Sequence, residues 1–276
     1  MSVLGSKKVS WFSFVMLVVV SLVCVFPLYW MILISLKTKA QTIDPSVWLF
    51  KPTWDNYAII FENRNIMKYL KNSVITVAST TFISMLLGGL AAYGFARFQF
   101  KRKENLAFWI LSLRMLPPMA TVIPFFVMAQ MLNVLDTHIV LIISYMLFNI
   151  PFCIWMMRSF FEEIPQAIEE AALIDGCSRF QVFLRILLPL TAPGFIATAI
   201  FCVINSWNEF VFALFLTSAD ASTLPTTVTL FLSVSGVAWG EMAAVGVVTV
   251  MPIIAFAMIV QKYMIRGLTF GAVTAE

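Results

Sequence analysis

Two charged residues stand inside long apolar stretches of this chain, Arg114 and Glu209, and a group of acidic and small residues lies together at Glu169, Glu170, Ala171, Ala172 and Gly176. A carboxylate or guanidinium in hydrocarbon is costly and ordinarily faces a protein interior or a watery passage. Glu209 belongs to the run Trp207-Asn208-Glu209-Phe210, which sets hydrogen-bonding groups beside aromatic surface. Such a cluster could line a polar path, and equally Asn208 and Glu209 could pin two helices together or lie at an interface. Arg114 precedes Pro117-Pro118, where the helical hydrogen-bond ladder is interrupted and the chain is expected to bend. Its guanidinium could meet Glu209 or a polar solute, or it could snorkel or hold a backbone carbonyl.

Catalytic chemistry finds little to work with. His138 is the sole histidine, in a short Asp136-Thr137-His138 connection where Asp136 or Thr137 could cap the next helix. Cys24, Cys153 and Cys202 lie in apolar segments and Cys177 in a polar loop, without paired spacing. Neither a disulfide framework nor a metal site is indicated. There is no GxxxxGK[ST] phosphate loop, so the chain is not expected to bind ATP or to be an enzyme.

The elements that must position these residues follow from composition. Of 276 residues, 61% are hydrophobic and 12% charged, against about 45–50% and 25% in soluble domains. A water-soluble globule is excluded. Stretches almost free of charge run over 9–36, 72–96, 106–130, 137–157, 192–217 and 242–261, the third interrupted by Arg114 and the fifth by Glu209. Each is long enough to cross a bilayer as a helix, and none has the short alternation of barrel strands. The first run exceeds the apolar core of a signal peptide and reads as an uncleaved span. The segment 221–240 is also charge-free, but its Ser, Thr and Gly content and Pro225 predict an external or partly inserted loop. The expected class is an all-α polytopic membrane protein with six transmembrane helices.

The net charge of +4 is distributed between the apolar stretches and carries no nucleic-acid signal. With the N-terminus inside, the inner segments hold Lys7, Lys8, Arg97, Lys101, Arg102, Lys103, Arg158, Arg179, Arg185, Lys262 and Arg266. Lys37, Lys39, Lys51, Arg64, Lys68 and Lys71 fall on the outer side around the first loop. This bias favours both termini in the cytoplasm. The expected organisation is a cytoplasmic segment 1–8, one transmembrane domain 9–264 and a cytoplasmic tail 265–276. The domain carries an external loop near 37–68, a possible small cap, and an inner loop near 158–189.

The inner loop is helix-like rather than a plain connector. Pro165 suits the first turn of a helix, 166–174 are mostly good helix formers, Asp175-Gly176 can end that helix, and Ser178 can cap a second. On the first helix Ile168, Ala171 and Ala172 are expected to form a small apolar face with Glu169 and Glu170 at its edge; on the second, Phe180, Phe183, Leu184 and Leu187 form a stripe able to pack under the spans. By pattern alone, an element that transmits displacement and a loop that only anchors at the interface both remain open.

The spacing Glu170-Ala171-Ala172, Gly176, Ile186-Leu187-Leu188-Pro189 resembles the "EAA" signature of the inner-membrane permease subunits of binding-protein-dependent ABC importers. The likeness to the carbohydrate-importing, MalG-like branch extends over most of the chain. It includes Asn72-Ser73, Ala91-Ala92-Tyr93-Gly94-Phe95-Ala96-Arg97, Arg114-Met115-Leu116-Pro117-Pro118, Trp207-Asn208-Glu209-Phe210 and the tail from Gly267 to Val273.

The resemblance implies a multi-pass protein of a bacterial or archaeal plasma membrane, the inner membrane if Gram-negative. Its implied partners are a second homologous permease subunit, two cytosolic ATPase subunits that bind ATP and Mg, and an extracytoplasmic solute-binding protein, with a sugar or sugar alcohol as cargo. Glu169, Glu170, Ala171, Ala172 and Gly176 would form the ATPase-coupling segment: Glu170 would make a polar contact, Ala171 allow close packing and Gly176 permit the bend. Arg114, Trp207, Asn208, Glu209 and Phe210 would contribute to the pathway or gate, where sugars need both polar partners and apolar contacts. Two other readings are a non-transporting scaffold that binds a cytosolic partner through 158–189, and an ion-coupled secondary transporter. The latter is disfavoured by a lone carboxylate and no paired repeats.

Overall fold

A computed structural model describes residues 11–44, 46–233 and 236–270, with the side chains of Ser233 and of 262–270 left aside. The expected segment 1–8 and the end of the tail, 271–276, lie outside the described residues. In chain order the helices are α1 (Trp11–Ser35), α2 (Lys39–Ile43), α3 (Asp55–Glu62), α4 (Ile66–Arg97), α5 (Lys103–Ser112), α6 (Pro118–Met131) and α7 (His138–Glu162). They continue with α8 (Gln166–Ile174), α9 (Arg179–Val182), α10 (Leu188–Leu190), α11 (Ala192–Trp207), α12 (Val211–Leu216) and α13 (Trp239–Phe270).

Among the described residues, four helices are long and apolar enough to cross a membrane unbroken, α1, α4, α7 and Trp239–Gln261 of α13, and two bent pairs bring the total to as many as six. The third span departs from one straight helix: Lys103–Met115 and Pro118–Met131 meet at 93°. Leu116 and Pro117 are extended at the corner, as a residue before proline tends to be, and Pro118 opens the next helix. The fifth span, expected to be continuous over 192–217, ends its helix at Trp207, breaks across 208–210 and resumes as α12; on its other side Ala192–Trp207 is bent by 78° from Arg179–Leu190.

The segment 221–240 is no seventh span. It contains a 3-10 stretch, Leu224–Phe231, and a short antiparallel ladder of β1 (Leu232–Ser233) with β2 (Gly236–Val237), a small exception to the all-α class.

The chain divides into two compact units. In the first, the described residues up to Ile66 with Val228–Val250, α1 is apolar on every side and buries only Ser35, as a helix solvated by lipid should. Ser35 meets the Tyr57 hydroxyl at 2.9 Å, and the Asn56 amide donates to the carbonyls of Ser35 and Lys37, both at 2.8 Å. These bonds fold the first loop back on the end of α1. The Lys37 side chain is buried between the rings of Trp30 and Phe50.

The second unit, Met67–Thr227 with the described residues from Met251, is built on α4 and α7. The two helices run parallel: Asn72 meets His138, Met85 meets Cys153, Tyr93 packs on Phe161, and Arg97 reaches Ile164 just beyond α7. Gly88 makes this approach possible, because a Cβ there would sit 2.4 Å from that of Cys153. The inward side of α4 is polar, with Asn72, Ser73, Thr76, Thr80 and Ser84 buried, while Phe82, Leu86, Leu87 and Leu90 are exposed. That reversal of the soluble pattern is expected where lipid is the solvent and polar groups are kept inside the bundle.

Candidate coupling segment and polar break

At its inner end the second unit carries the two-helix device read from the inner loop. Helix α8 stops at Ile174; the amides of Gly176 and Cys177 return to the carbonyls of Leu173 and Ala172 at 3.1 and 3.0 Å, and Gly176 takes the left-handed conformation at φ +88°. A residue with a Cβ is disfavoured there, which accounts for glycine at the bend. Ser178 then caps α9 reciprocally with Gln181. Pro165 stands just before α8 rather than in its first turn.

The structure divides the expected apolar face of α8 between an inward and an outward side. Ala172 is buried among Ala92, Tyr93, Ala96, Phe161 and Phe183, but the second inward residue is Glu169, whereas Ile168 and Ala171 are exposed. Glu169 can be buried because Arg97, at the end of α4, pairs with it through Nε; both side chains are under 10% exposed, at 6% for Arg97 and 9% for Glu169. The same guanidinium donates through Nη2 to the Ile164 carbonyl at 2.9 Å, and the Tyr93 hydroxyl approaches the second Glu169 oxygen at 3.4 Å. Glu169 is thus turned toward its own bundle, leaving Glu170, Ala171 and Ile174 as an outward face.

The stripe expected on the second helix is also shifted. Val182, Phe183 and Leu187 are buried, while Phe180 and Leu184 are 63% and 43% exposed. Val182 and Ile186 take the inward places expected of Phe180 and Leu184 beside Phe183 and Leu187, and a π turn runs over Phe183–Leu187.

At the opposite end of α4, Asn72 donates to the carbonyls of Asp220 and Ser222 at 2.8 and 3.0 Å, Ser73 accepts from the Leu224 amide at 2.7 Å, and Lys68 pairs with Asp220 at 2.9 Å. The His138 ring nitrogen Nε2 lies 3.1 Å from the side-chain amide oxygen of Asn72. Thr137 caps α7 through the Val140 amide, while Asp136 binds the chain after α12. Among the described residues, no group of three His, Cys, Asp or Glu side chains could hold a metal ion.

The polar break at 208–210 is organised by Glu209. Its carboxylate accepts the amides of Phe212 and Ala213 at 3.1 and 3.3 Å, satisfying donors that open α12. This frees α12 to fold against α6 and α7 in a core that includes Phe212, Leu216, Val122, Leu141 and Tyr145. Trp207 is buried and lines an apolar hollow of about 280 Å³ with Val74, Val77, Val203 and Phe256. Asn208 is exposed and donates to the Ile204 carbonyl at 2.9 Å; Phe210 is half-buried. Arg114 does not join this group: its guanidinium lies 4.4 Å from the Phe152 ring centre, so the contact with Glu209 weighed above is replaced by a cation on an aromatic face.

The residue missed from sequence is Arg97. It counts there only as an inner cation closing a motif, and the signal that could have found it is the acidic residue facing inward one turn into the loop helix.

Residues 84–270 match the family described as the binding-protein-dependent transport system inner membrane component. The chain is 38% identical over 269 residues to a probable ABC transporter permease protein of Sinorhizobium fredii, covering 97% of this chain and 96% of that one. It is 33% identical over 263 residues to the trehalose/maltose transport system permease protein of Thermococcus litoralis, covering 94% and 95%. The fold is similar to that of a chain in the crystal structure of a bacterial ABC transporter involved in the import of alginate, with a TM-score of 0.76, 21% identity and coverage of 95% and 99%. The apolar spans, the bent inner loop and these matches lead to one conclusion: the chain belongs to the family of inner-membrane permease components of binding-protein-dependent ABC importers.

Proposed function

We propose that this chain is the permease subunit of an ATP-driven importer of a sugar or sugar alcohol. It works beside a second homologous permease subunit, over two cytosolic ATPase subunits and beneath an extracytoplasmic solute-binding protein. Residues 9–264 are the permease domain, the segments 1–8 and 265–276 are cytoplasmic, and ATP and Mg stay on the ATPases. The carbohydrate class rests on the relative named for trehalose and maltose and on the branch-wide motifs. The inner-membrane, multi-pass setting rests on the apolar helices.

The observation that carries the coupling role is the outward face of α8, where Glu170, Ala171 and Ile174 are exposed and the helix ends on a left-handed Gly176. In this reading Glu170 makes a polar contact with the ATPase and Ala171 lets the surfaces come close. Ala172 and Glu169 hold the helix to its own bundle, and Gly176 sets the angle at which α9 departs. Closure of the ATPases on ATP pushes α8, and the spans rearrange to expose the pathway outward. Arg114, Trp207, Asn208, Glu209 and Phe210 mark the pathway or gate. Within that group Asn208 is the exposed polar side chain at the break, and Glu209 keeps the break in shape by capping α12.

The test is uptake by the reconstituted complex. Flux of a sugar that requires ATP and the binding protein is expected. Flux driven by an ion gradient would replace this reading with secondary transport, and binding of a cytosolic partner without any flux would replace it with a scaffold.

A further inference from the structure

We propose that Arg97 is a positioning residue that fastens the coupling helix to α4, making α4 the rod that carries motion from the cytosolic face to the outer loop at 218–224. The inference rests on α8 being the segment the ATPase pushes. Its geometry is that of a clamp with two points. One guanidinium holds the Ile164 carbonyl, just ahead of α8, and the Glu169 carboxylate, one turn into it. A planar fork gripping an element at two sites five positions apart fixes orientation as well as position, and burial removes the competing water. Tyr93, one turn earlier on α4, meets the same carboxylate and packs edge-on against Phe161. α8 therefore cannot slide against the end of α4 without leaving a nearly buried charge unpaired.

The other end of α4 is held by buried bonds of Asn72 and Ser73 and by an exposed ion pair of Lys68. Lys68, Asn72 and Ser73 grip Asp220, Ser222 and Leu224 by the bonds described above. α4 is a single helix of 32 residues, about 48 Å at 1.5 Å per residue, with no proline inside it. Polar clamps at both ends of one unbroken helix make a stiff link. By contrast the third span is bent by 93° and the helix of the fifth is broken across 208–210. Displacement of α8 is thus delivered through α4 to the loop that follows α12.

The test uses the complete reconstituted importer, measuring sugar uptake and ATP hydrolysis separately. Arg97→Gln is expected to lower the sugar moved per ATP hydrolysed by about tenfold while hydrolysis persists. The paired exchange Arg97→Glu with Glu169→Arg restores the ion pair but not the bond to the Ile164 carbonyl, so it should raise the ratio above that of Arg97→Glu alone, which general loosening of the fold would not do. Arg97→Lys keeps the charge without the two-point fork and is expected to fall between; it also serves if Arg97→Gln does not assemble. An unchanged ratio in Arg97→Gln or Arg97→Lys would overturn the inference, as would failure of the paired exchange to raise it.

A cysteine at Ala171, cross-linked to the ATPase, separates the two levels. If no cross-link forms in the otherwise unaltered complex, the coupling reading itself falls. If it forms in both backgrounds and Arg97→Gln still couples, only the role of Arg97 falls. A cross-link lost in Arg97→Gln would mean that Arg97 serves assembly, which also overturns the rod.

Discussion

The carboxylate of Asp136 accepts both the amide and the hydroxyl of Ser218, at 3.1 and 2.9 Å, and goes on to take the amides of Ala219, Asp220 and Ala221. Four successive amides converge on one side chain 82 positions away, and the Asp136 amide donates back to the Leu216 carbonyl at 2.9 Å. Asp136 sits in the left-handed region at φ 56°, which turns its side chain into the loop. The connection between α6 and α7 is thereby the mould for the chain that leaves α12.

Replacing Asp136 by Asn is expected to destabilise the protein by about 1–3 kcal/mol, because several charge-assisted bonds become neutral and one amide hydrogen faces the cluster. Burial alone would raise this carboxyl, but the amides of Ala221, Asp220, Ser218 and Ala219 outweigh it and hold the group well below the usual carboxylate range. A depressed folded value contributes stability above the unfolded value and loses it as pH falls. Thermal unfolding in detergent should show the largest gap between the native chain and Asp136→Asn near neutrality, narrowing as pH drops below about 4. A gap that widens on acidification would contradict this account.

Gly176 has open space around it, with nothing within 4 Å of where a Cβ would stand, so its requirement is backbone conformation at φ +88° rather than room. Gly176→Val should reduce ATP-coupled uptake strongly while leaving membrane insertion intact, since forcing a β-branched residue into that region costs about 1–2 kcal/mol or more. Gly176→Asn, which tolerates the conformation, should keep most of the uptake. Equal loss in the two variants, measured at matched expression, would point to side-chain size instead.

Glu209 closes α12 with two amide bonds. Glu209→Leu removes the cap and is expected to lower stability by about 0.5–2 kcal/mol, whereas Glu209→Gln retains an acceptor and should lose less. The check is a pair of unfolding midpoints read beside the KM for sugar: a cap moves the midpoints in that order and leaves KM in place, while a direct cargo contact would raise KM, most in the Leu variant, with the midpoints little changed.

Thr80 is fully buried on α4, and its hydroxyl makes no hydrogen bond among the described residues. Thr80→Val keeps the volume and removes a polar atom without a protein partner, so the change in stability should stay within about 1 kcal/mol and tend toward stabilisation. A loss larger than that, measured by thermal unfolding of the purified complex, would reveal a polar interaction made by this hydroxyl in the assembled importer.

Much of this architecture was legible in the residue order because its causes are local. Lipid forbids charge, so charge-free stretches marked the membrane elements; Pro117-Pro118 announced the corner, and Gly176 and Ser178 the bend of the inner loop. Where cause and effect lie far apart in the chain, the reading went astray. Periodicity grouped Ala172 with Ile168 and Ala171 on one apolar face and left Glu169 at its edge, since a carboxylate weighs as polar until its partner is known. The fifth stretch looked continuous because composition cannot register that the Glu209 side chain folds back onto the amides that open α12.

The order of residues alone determined a helical membrane protein with a bent two-helix loop and the signature of its family, since solvent preference and backbone propensity act over a few neighbours at a time. Only the tertiary structure decided which carboxylate of the Glu169-Glu170 pair turns inward, that Arg97 grips it, and that Asp136 shapes a loop 82 positions on. Those outcomes depend on ion pairs and hydrogen bonds between groups that folding brings together, and a buried charge goes where its counter-charge is, whatever the local pattern prefers.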